Sequence, residues 1–455
     1  MTEPITPLAA LKEWQEFAHA HPHITALDAF IIDVNGNTLG KRLAVGDAHK
    51  AFTDGVQFSS CALIADARGL GHNVQGMGAS DGDPDGTAKP IAGTLHVVPW
   101  ARASTAQVLC SMRHTETGAS LWFDPREVLR EVVARCHKAG VFPVVACELE
   151  FFLIDPRREP DGGIKLATMP GRGSAPRRAA NLSMDAIEES SVFLNSVADA
   201  AAQQGVPVCG AVAEYGIGQF EVNLGHVADA GLAADHAVLL KRIVKGVAQS
   251  MGMLASFMAK PFTKQAGSGL HVHVSIADAS GANRFGLEGG EALLQQAIAG
   301  MQAMMFDSLG FCAPNFNSYR RYLGPFVPTT RDWGHNNRAV AFRVPAAHGS
   351  GRRIENRVAG ADASPHLVVA AILAAALHGL TQQLSPTAPA VGRVQSGRDA
   401  AFPNGLLAAL ERLEHSSLLA TYIPTNFLQL FAELKRKEYA AVIEELFIRE
   451  FDFYL

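Results

Sequence analysis

Cysteine is scarce in this chain, and its few copies are spread widely. The six cysteines occur without a single C-x-x-C pair among 455 residues. This spacing argues against a zinc ribbon and against a disulfide framework, because both need closely spaced cysteines. We therefore predict that all six cysteines are buried thiols.

Long apolar runs and long runs of one charge are also missing. No stretch approaches the roughly 20 apolar residues of a membrane span, and the first residues lack the basic and apolar regions of a signal peptide. We therefore predict a cytoplasmic protein that does not bind a membrane. Acidic and basic residues nearly balance, at a formal net charge of -5, so nucleic acid is not a predicted partner.

The order of the predicted elements divides the chain into a β-rich part and a longer mixed part. A helix is predicted over residues 8–20, followed by a β-hairpin with its turn at residues 35–37. Asp124 and Pro125 are typical of a helix start, and another helix is predicted over residues 183–204. The chain is long enough for two or three domains. We predict an α+β fold with an N-terminal helical extension at 1–20, a β-rich domain at 21–117 and a larger domain at 118–455.

Two carboxylates interrupt an apolar strand at residues 144–153. Glu148 and Glu150 are two positions apart, so their side chains leave the same face of the strand. Like charges on one face repel each other, and burial of an unpaired carboxylate is costly. A bound cation resolves this conflict. The commoner alternative for an isolated E-x-E is a strand with one face in water.

Other strands carry further residues that ligate metals. Five carboxylates and one imidazole lie on four otherwise apolar segments: Glu148, Glu150, Glu214, Glu221, His271 and Glu355. This set is too rich in oxygen for a structural zinc site, and it suits two Mg²⁺ or Mn²⁺ ions. Such ions most often hold nucleotide phosphates. Positive charge for phosphates is available from Arg338, Arg343, Arg353 and Arg357. Any one of these residues has an ordinary structural explanation, and only the whole set favours a cation site. Because neither a P-loop nor a G-x-G-x-x-G occurs, a nucleotide would bind on a sheet surface.

Several segments, taken in order, resemble the signature segments of the glutamine synthetase family. They are CELEFF at 147–152, EYGIGQFE at 214–221, GSGLHVH at 267–273, NSYRR at 317–321, NR at 337–338 with RVP at 343–345, and RIENR at 353–357. The resemblance covers nearly the whole chain. It implies a β-grasp N-terminal domain and a catalytic domain with a curved antiparallel sheet and flanking helices. It also implies a homododecamer of two hexameric rings, with active sites between subunits.

The resemblance also implies roles for individual residues. The ion beside glutamate would be held by Glu150, Glu214 and Glu221. The ion that bridges the ATP phosphates would be held by Glu148, His271 and Glu355. The nucleotide would be contacted by Ser275, Arg338, Arg343 and Arg353. Glutamate would be contacted by Gly267, Arg321 and Arg357. The residues predicted to be catalytic are Glu214, Arg338 and Arg357.

The implied reaction is the ATP-dependent formation of a γ-glutamyl amide. A free carboxylate is a poor acyl donor, because its leaving group would be oxide. The γ-carboxylate of L-glutamate therefore takes the γ-phosphoryl group of ATP first, and an amine then displaces phosphate from the γ-glutamyl phosphate.

The segments that bind ammonium in true glutamine synthetases differ here. The family's Phe-Asp-Gly-Ser-Ser is replaced by GVQFSS at 55–60, beside Asp54, and its Pro-Gly-Tyr-Glu-Ala-Pro by LGPFVP at 323–328. A pocket without these acids should bind ammonium poorly and leave room for a carbon chain. Together with DGDPDGT at 81–87, this resembles the γ-glutamyl polyamine synthetase branch.

We therefore predict an organic amine substrate, such as putrescine or spermidine. The candidate contacts for this amine are Phe326, Asp332 and Trp333. Four alternatives stay open: glutamine synthesis from ammonium, ligation of a monoamine such as ethanolamine, phosphoryl transfer to a guanidine as in the phosphagen kinases, and a member of the family without catalytic activity.

Overall fold

The computed structural model, which describes residues 7–170, 173–324, 326–392, 397–446 and 450, contains two β-sheets. The strands of the first sheet are β1 (Ala26–Ile32), β2 (Thr38–Ala44), β3 (Val56–Ser59), β4 (Asp85–Pro90), β5 (His96–Val97) and β6 (Thr105–His114). The strands of the second sheet are β7 (Phe142–Ile154), β8 (Val208–Ala213), β9 (Gln219–Leu224), β10 (Leu254–Ser256), β11 (Leu270–Ala277), β12 (Trp333–His335), β13 (Phe342–Val344) and β14 (Ile354–Asn356).

Helices make up much of the rest of the described chain. Those of the first half are α1 (Leu11–Ala20), α2 (His49–Thr53), α3 (Pro125–Lys138), α4 (Met184–Glu189), α5 (Ser191–Gln203) and α6 (Ala230–Ser250). Those of the second half are α7 (Gly290–Met304), α8 (Leu309–Cys312), α9 (Ser318–Arg321), α10 (Pro365–Thr381), α11 (Leu406–Glu414), α12 (Ser417–Ala420) and α13 (Thr425–Glu444). Within the described residues, no helix combines the length and apolar character needed to cross a bilayer.

The first sheet contains the predicted hairpin. Its strand order is β2-β1-β6-β4-β3, with β5 beside β6, and β1 pairs with β2 antiparallel and with β6 parallel. The Asp33 carboxylate accepts hydrogen bonds from the amides of Asn35 (2.9 Å) and Asn37 (2.7 Å), which closes the turn. Gly36 occupies the turn with a φ of 77°, a conformation that favours glycine.

The second sheet places the long strand β7 near its centre. The strand order is β12-β13-β14-β11-β7-β9-β8, with β10 also pairing with β7. The predicted antiparallel arrangement is found throughout except at one edge, where β12 and β13 are parallel. The α+β fold class is thus confirmed, whereas the domain boundaries at residues 20 and 117 stay predictions.

Buried charges connect the helices behind this sheet. α3 begins at the predicted position, where the Asp124 carboxylate accepts a hydrogen bond from the Arg126 amide at 2.9 Å. The Arg126 guanidinium donates two hydrogen bonds, of 2.8 and 2.6 Å, to the carboxylate of Asp235 on α6. His366 on α10 lies 2.8 Å from the same carboxylate. Burial raises the pKa of Asp235, but Arg126 and His366 outweigh it and hold the pKa below its usual range. This network fixes three helices to one another.

Two expectations from the sequence are wrong. The single helix predicted over residues 183–204 is divided into α4 and α5 at Ser190, whose backbone leaves the helical region. Serine is a weak helix former, and the Ser190 carbonyl accepts the amide of Leu194 at 3.0 Å as the first turn of a new helix. All six cysteines are free, but Cys209 is exposed rather than buried, because it lies on β8 at the edge of the sheet.

The aromatic core behind β7 provides a test of the packing. Phe151 is fully buried, with its ring centroid 5.4 Å from that of Phe257 and 6.1 Å from that of Phe193. We expect Phe151→Ala to lower the free energy of unfolding by about 3–5 kcal/mol, because it leaves a cavity in a packed core. Urea denaturation at fixed protein concentration measures this change. Val391→Ala, at a residue that is 94% exposed, is the control. Equal midpoints for both variants would contradict the packing described here.

Candidate active site

Strand register brings the predicted acids together on one face of β7. Cys147, Leu149 and Phe151 are fully buried, and α6 packs against this strand, whereas Glu148 and Glu150 alternate with them on the other face. Glu148 is directly opposite His271 on β11, and Glu150 is opposite Glu221 on β9. Cross-strand neighbours of this kind lie close enough for their side chains to interact.

Two groups of ligand atoms result, and they share one residue. Glu148, His271 and Glu355 have ligand atoms within 4.8 Å of one another, and so do Glu150, Glu221 and His271. The first group is the predicted ATP-side set. The second contains His271, while Glu214, which the prediction placed there, joins neither group among the described residues. This geometry could hold two adjacent cations with a common imidazole.

The side chains on the Glu148 side are held ionised by cationic and hydrogen-bonding partners. Burial raises the pKa of Glu148, but hydrogen bonds from His271 and His273 outweigh it and hold the pKa well below the usual value. His273 Nε2 lies 2.7 Å from a Glu148 oxygen, and Arg353 Nε donates to His273 Nδ1 at 3.1 Å. Because arginine can only donate, His273 Nδ1 is an acceptor and its Nε2 carries the proton given to Glu148.

His273 was assigned no role from the sequence, although the alternating H-V-H pattern placed it on the same strand face as His271. Ser275 continues this face by one more alternation and is buried. The face therefore extends from the cation position along β11, in the direction predicted for the nucleotide.

Arginines neutralise the third member of this group, Glu355. Arg343 donates to one carboxylate oxygen at 2.6 Å, and Arg357 donates to the other. Burial raises the pKa of Glu355, but Arg357 and His271 outweigh it and lower the pKa to about 2. Both arginines were predicted to contact substrates, and here each is the partner of a metal-ligand candidate.

Among the described residues, no arginine or histidine forms a hydrogen bond with Glu214 or Glu221. Burial, together with the charges of Glu148, Glu150 and Glu214, raises the pKa of Glu221 to about 9. Burial and the nearby Glu150 raise the pKa of Glu214 to about 7, against the weaker opposing effects of Arg338 and Arg357. Both shifts reflect a deficit of positive charge on this side of the site. An oxygen-rich set with a deficit of positive charge fits divalent ions such as Mg²⁺ or Mn²⁺, so these residues could hold the predicted metals.

Glycines permit a close approach of backbone and side chains beside Glu150. The Gly269 amide donates to a Glu150 oxygen at 2.7 Å, and Gln219 Nε2 donates to the Gly267 carbonyl at 3.0 Å. The Arg321 guanidinium donates to the Val358 carbonyl at 2.8 Å. A Cβ on Gly267 would lie 2.7 Å from the Arg321 side chain. The structure thus places the predicted glutamate contacts Gly267 and Arg321 side by side. The Gln219 side chain was missed by the sequence reasoning, although it lies inside the EYGIGQFE segment.

The predicted amine contacts are not brought together. Phe326 is 58% exposed, and its ring stacks on that of Tyr215 with centroids 5.5 Å apart. Trp333 is buried instead, and its indole N–H donates to the Thr387 carbonyl at 2.7 Å. Asp332 accepts a hydrogen bond from the Thr330 hydroxyl at 2.6 Å. Of the three, the structure gives only Phe326 a contact with the segment that begins at Glu214.

The family assignment follows from comparison with known proteins. A family model described as the glutamine synthetase catalytic domain matches residues 123–454. The chain belongs to the glutamine synthetase family. It is 36% identical to the gamma-glutamylputrescine synthetase PuuA of Escherichia coli strain K12, over 94% of this chain and 91% of that protein. It is 31% identical to a glutamate–isopropylamine ligase of a Pseudomonas species, over 92% of each.

A solved structure supports the same assignment. Apo GmaS without ligand superimposes with a TM-score of 0.80 at 26% identity, covering 96% of this chain and 99% of that one. The predicted family, fold and enzyme class are confirmed: the chain matches the glutamine synthetase catalytic domain, and the two relatives named above are a gamma-glutamylputrescine synthetase and a glutamate–isopropylamine ligase.

The glycine beside Glu150 provides a test of the site geometry. A Cβ on Gly269 would lie 2.8 Å from His271 Nε2 and 2.9 Å from an Arg321 guanidinium nitrogen. We expect Gly269→Ala to reduce ATP-dependent ligation by about tenfold or more, because displaced ligands lose their alignment. Gly46→Ala is the control, since nothing lies within 4 Å of its added Cβ. Full activity of Gly269→Ala, measured as phosphate release, would show that this close approach is not needed.

The raised pKa of Glu221 predicts proton release when a metal binds. Only the deprotonated carboxylate can ligate an ion, so the apparent affinity for Mn²⁺ should increase as the pH rises towards about 9. Calorimetric titration with Mn²⁺ near neutral pH should give different binding enthalpies in Tris and HEPES, because the buffer takes up the released protons. The difference should correspond to the release of about one proton per site. Glu221→Gln should reduce this difference. Identical enthalpies for the unaltered protein in both buffers would contradict the prediction.

Proposed function

We propose that this protein joins L-glutamate to an organic amine through γ-glutamyl phosphate, with ATP as the phosphoryl donor. The observation that carries the proposal is the pair of ligand groups that share His271, with arginines on one side and glycines on the other. Divalent ions bound there would neutralise the charge of the transferred phosphoryl group.

The residues on the Glu355 side suit the nucleotide. Arg338, Arg343 and Arg353 would contact the phosphates, and Ser275 would lie near the nucleoside. Arg353 also fixes the proton on His273 and so orients Glu148 for its ion. Glu148, His271 and Glu355 would hold the ATP-side Mg²⁺ or Mn²⁺.

The residues on the Glu150 side suit glutamate. Arg321 and Arg357 would bind its carboxylates, and the Gly267 backbone would contact its amino group. Glu150 and Glu221, with Glu214 beside them, would hold the second ion. A γ-carboxylate oxygen then attacks the γ-phosphorus, and ADP leaves. The amine nitrogen attacks the acyl carbon, phosphate leaves, and the nitrogen gives up a proton. We assign this proton to Glu214, which is close enough to Glu150 to feel its charge and directly precedes the aromatic Tyr215.

An aromatic pair supports an organic amine. Glu214 is followed directly by Tyr215, whose ring stacks on the exposed Phe326. No acid occurs between Arg321 and Thr330 in the sequence. Aromatic faces attract alkylammonium groups and cover their carbon chains. The similarity to gamma-glutamylputrescine synthetase favours putrescine or another polyamine.

A monoamine is the second candidate, because the aromatic pair includes no acid that could bind the distal ammonium group of a diamine. For a diamine or polyamine, that acid would come from a neighbouring copy in a homododecamer with active sites between subunits, an assembly that we propose from the family. Asp54, Asp81, Asp83 and Asp85 of the first sheet and its loops are the candidates.

A panel of amines tests the proposed function. Phosphate release from ATP and glutamate is measured with putrescine, spermidine, isopropylamine, ethanolamine and ammonium. We expect an organic amine to exceed ammonium in kcat/KM by about tenfold or more. Phe326→Glu should shift the preference towards ammonium, whereas Phe326→Leu, which adds no charge, should not. Equal or faster turnover of ammonium would identify glutamine synthesis, and no turnover with any amine would identify a non-catalytic family member.

A further inference from the structure

A fully buried ammonium group connects three parts of the chain. Lys435 on α13 has no exposed side-chain surface. Its Nζ donates to Asn35 Oδ1 at 2.6 Å, to Asn315 Oδ1 at 3.1 Å and to Glu438 Oε2 at 3.0 Å. The three N–H donors thus match three acceptors, as a buried charge requires.

The contact with Asn315 fixes the orientation of an amide. Asn315 Nδ2 donates to Asp362 Oδ2 at 2.9 Å. Because an ammonium group can only donate and a carboxylate can only accept, one orientation of the Asn315 amide satisfies both neighbours. The opposite orientation would place its N–H groups against Lys435 and its oxygen against Asp362.

The same carboxylate oxygen holds the start of α9. The Ser318 hydroxyl donates to Asp362 Oδ2 at 2.6 Å and accepts a hydrogen bond from the Asn315 backbone N–H at 3.0 Å. α9 has only four residues and ends at Arg321. A helix of one turn has little stability of its own, so its position depends on such side-chain contacts. Lys435, Asn315, Asp362 and Ser318 therefore form a continuous path to the helix that carries Arg321.

We propose that Lys435 is a positioning residue for the glutamate site. It acts through Asn315 and Asp362, which hold α9 and thereby position Arg321. The proposal rests on the proposed function, which assigns Arg321 to a glutamate carboxylate. The Arg321 guanidinium is itself held by the carbonyls of Val358 and Arg357. A shift of α9 would therefore strain these hydrogen bonds and move the guanidinium away from its substrate position.

Lys435 also donates to two acceptors outside the path to α9, Asn35 and Glu438. Asn35 lies in the turn of the first sheet, and its Nδ2 donates to the Ala65 carbonyl at 2.8 Å. Glu438 accepts the Ala67 amide at 2.9 Å. Asn35 and Asn315 are both half-buried and both accept from the same ammonium group. Asn35→Ala is thus a matched control for Asn315→Ala, because only the second variant alters the path to α9.

Steady-state kinetics of the full chain separate the two branches. Hydroxylamine serves as the amine, and the γ-glutamyl hydroxamate is measured, so the assay does not depend on the natural amine. We expect Asn315→Ala and Lys435→Met to raise the KM for glutamate by about fivefold, the effect of one lost hydrogen bond, with the KM for ATP unchanged. Asn35→Ala should lower the melting temperature and leave both KM values unchanged.

Two results would overturn the proposal. An unchanged KM for glutamate in Asn315→Ala would do so even if Lys435→Met fails to fold, and so would an equal rise in Asn35→Ala. Arg321→Lys distinguishes this failure from a failure of the proposed function. If Arg321→Lys raises the KM and Asn315→Ala does not, only the positioning role is wrong. If Arg321→Lys leaves the KM unchanged, the assignment of Arg321 to glutamate is wrong as well.

Discussion

The site depends on the crowding of carboxylates at buried and half-buried positions of one sheet. Such acids cannot all be ionised without cations, because burial and mutual repulsion both oppose their charge. Among the described residues, histidine and arginine partners for these acids occur mainly on the Glu148 and Glu355 side. Histidines hold Glu148 ionised and arginines hold Glu355 ionised, whereas Glu214 and Glu221 have raised pKa values. The negative charge without a cationic partner therefore lies beside Glu150, and a dication bound there would neutralise the most charge.

His271 makes the two sides interdependent. Because its ring contributes to both ligand groups, a cation bound at one position would affect the orientation of the imidazole available to the other. Gly269 helps to position residues of both groups. Its backbone N–H donates to Glu150, and the absence of a side chain leaves space for His271 and Arg321. The relative positions of the candidate ligands thus depend on the backbones of β7 and β11 as much as on the ligand side chains.

Local patterns in the sequence were sufficient for the elements and for most of the acids. The two-residue step from Glu148 to Glu150 and the H-V-H alternation identify strand faces directly. Local patterns could not reveal register between distant strands, so they gave no indication that His271 lies within reach of both Glu150 and Glu221. Burial of Trp333 against Thr387 and the break at Ser190 depend on tertiary contacts, which leave no periodic signal.

Selection against ammonium need not involve steric exclusion. The stacked rings of Tyr215 and Phe326 can attract any ammonium group through their faces. An alkyl chain adds about 0.8 kcal/mol for each buried CH₂, so the four methylenes of putrescine contribute up to about 3 kcal/mol. That difference corresponds to roughly two orders of magnitude in affinity. Ammonium has no chain to bury, and the loop around Phe326 lacks the glutamate that the corresponding segment of true glutamine synthetases carries. If the chain acts on organic amines as proposed, this aromatic pair would disfavour ammonium, because ammonium gains no binding energy from a buried carbon chain.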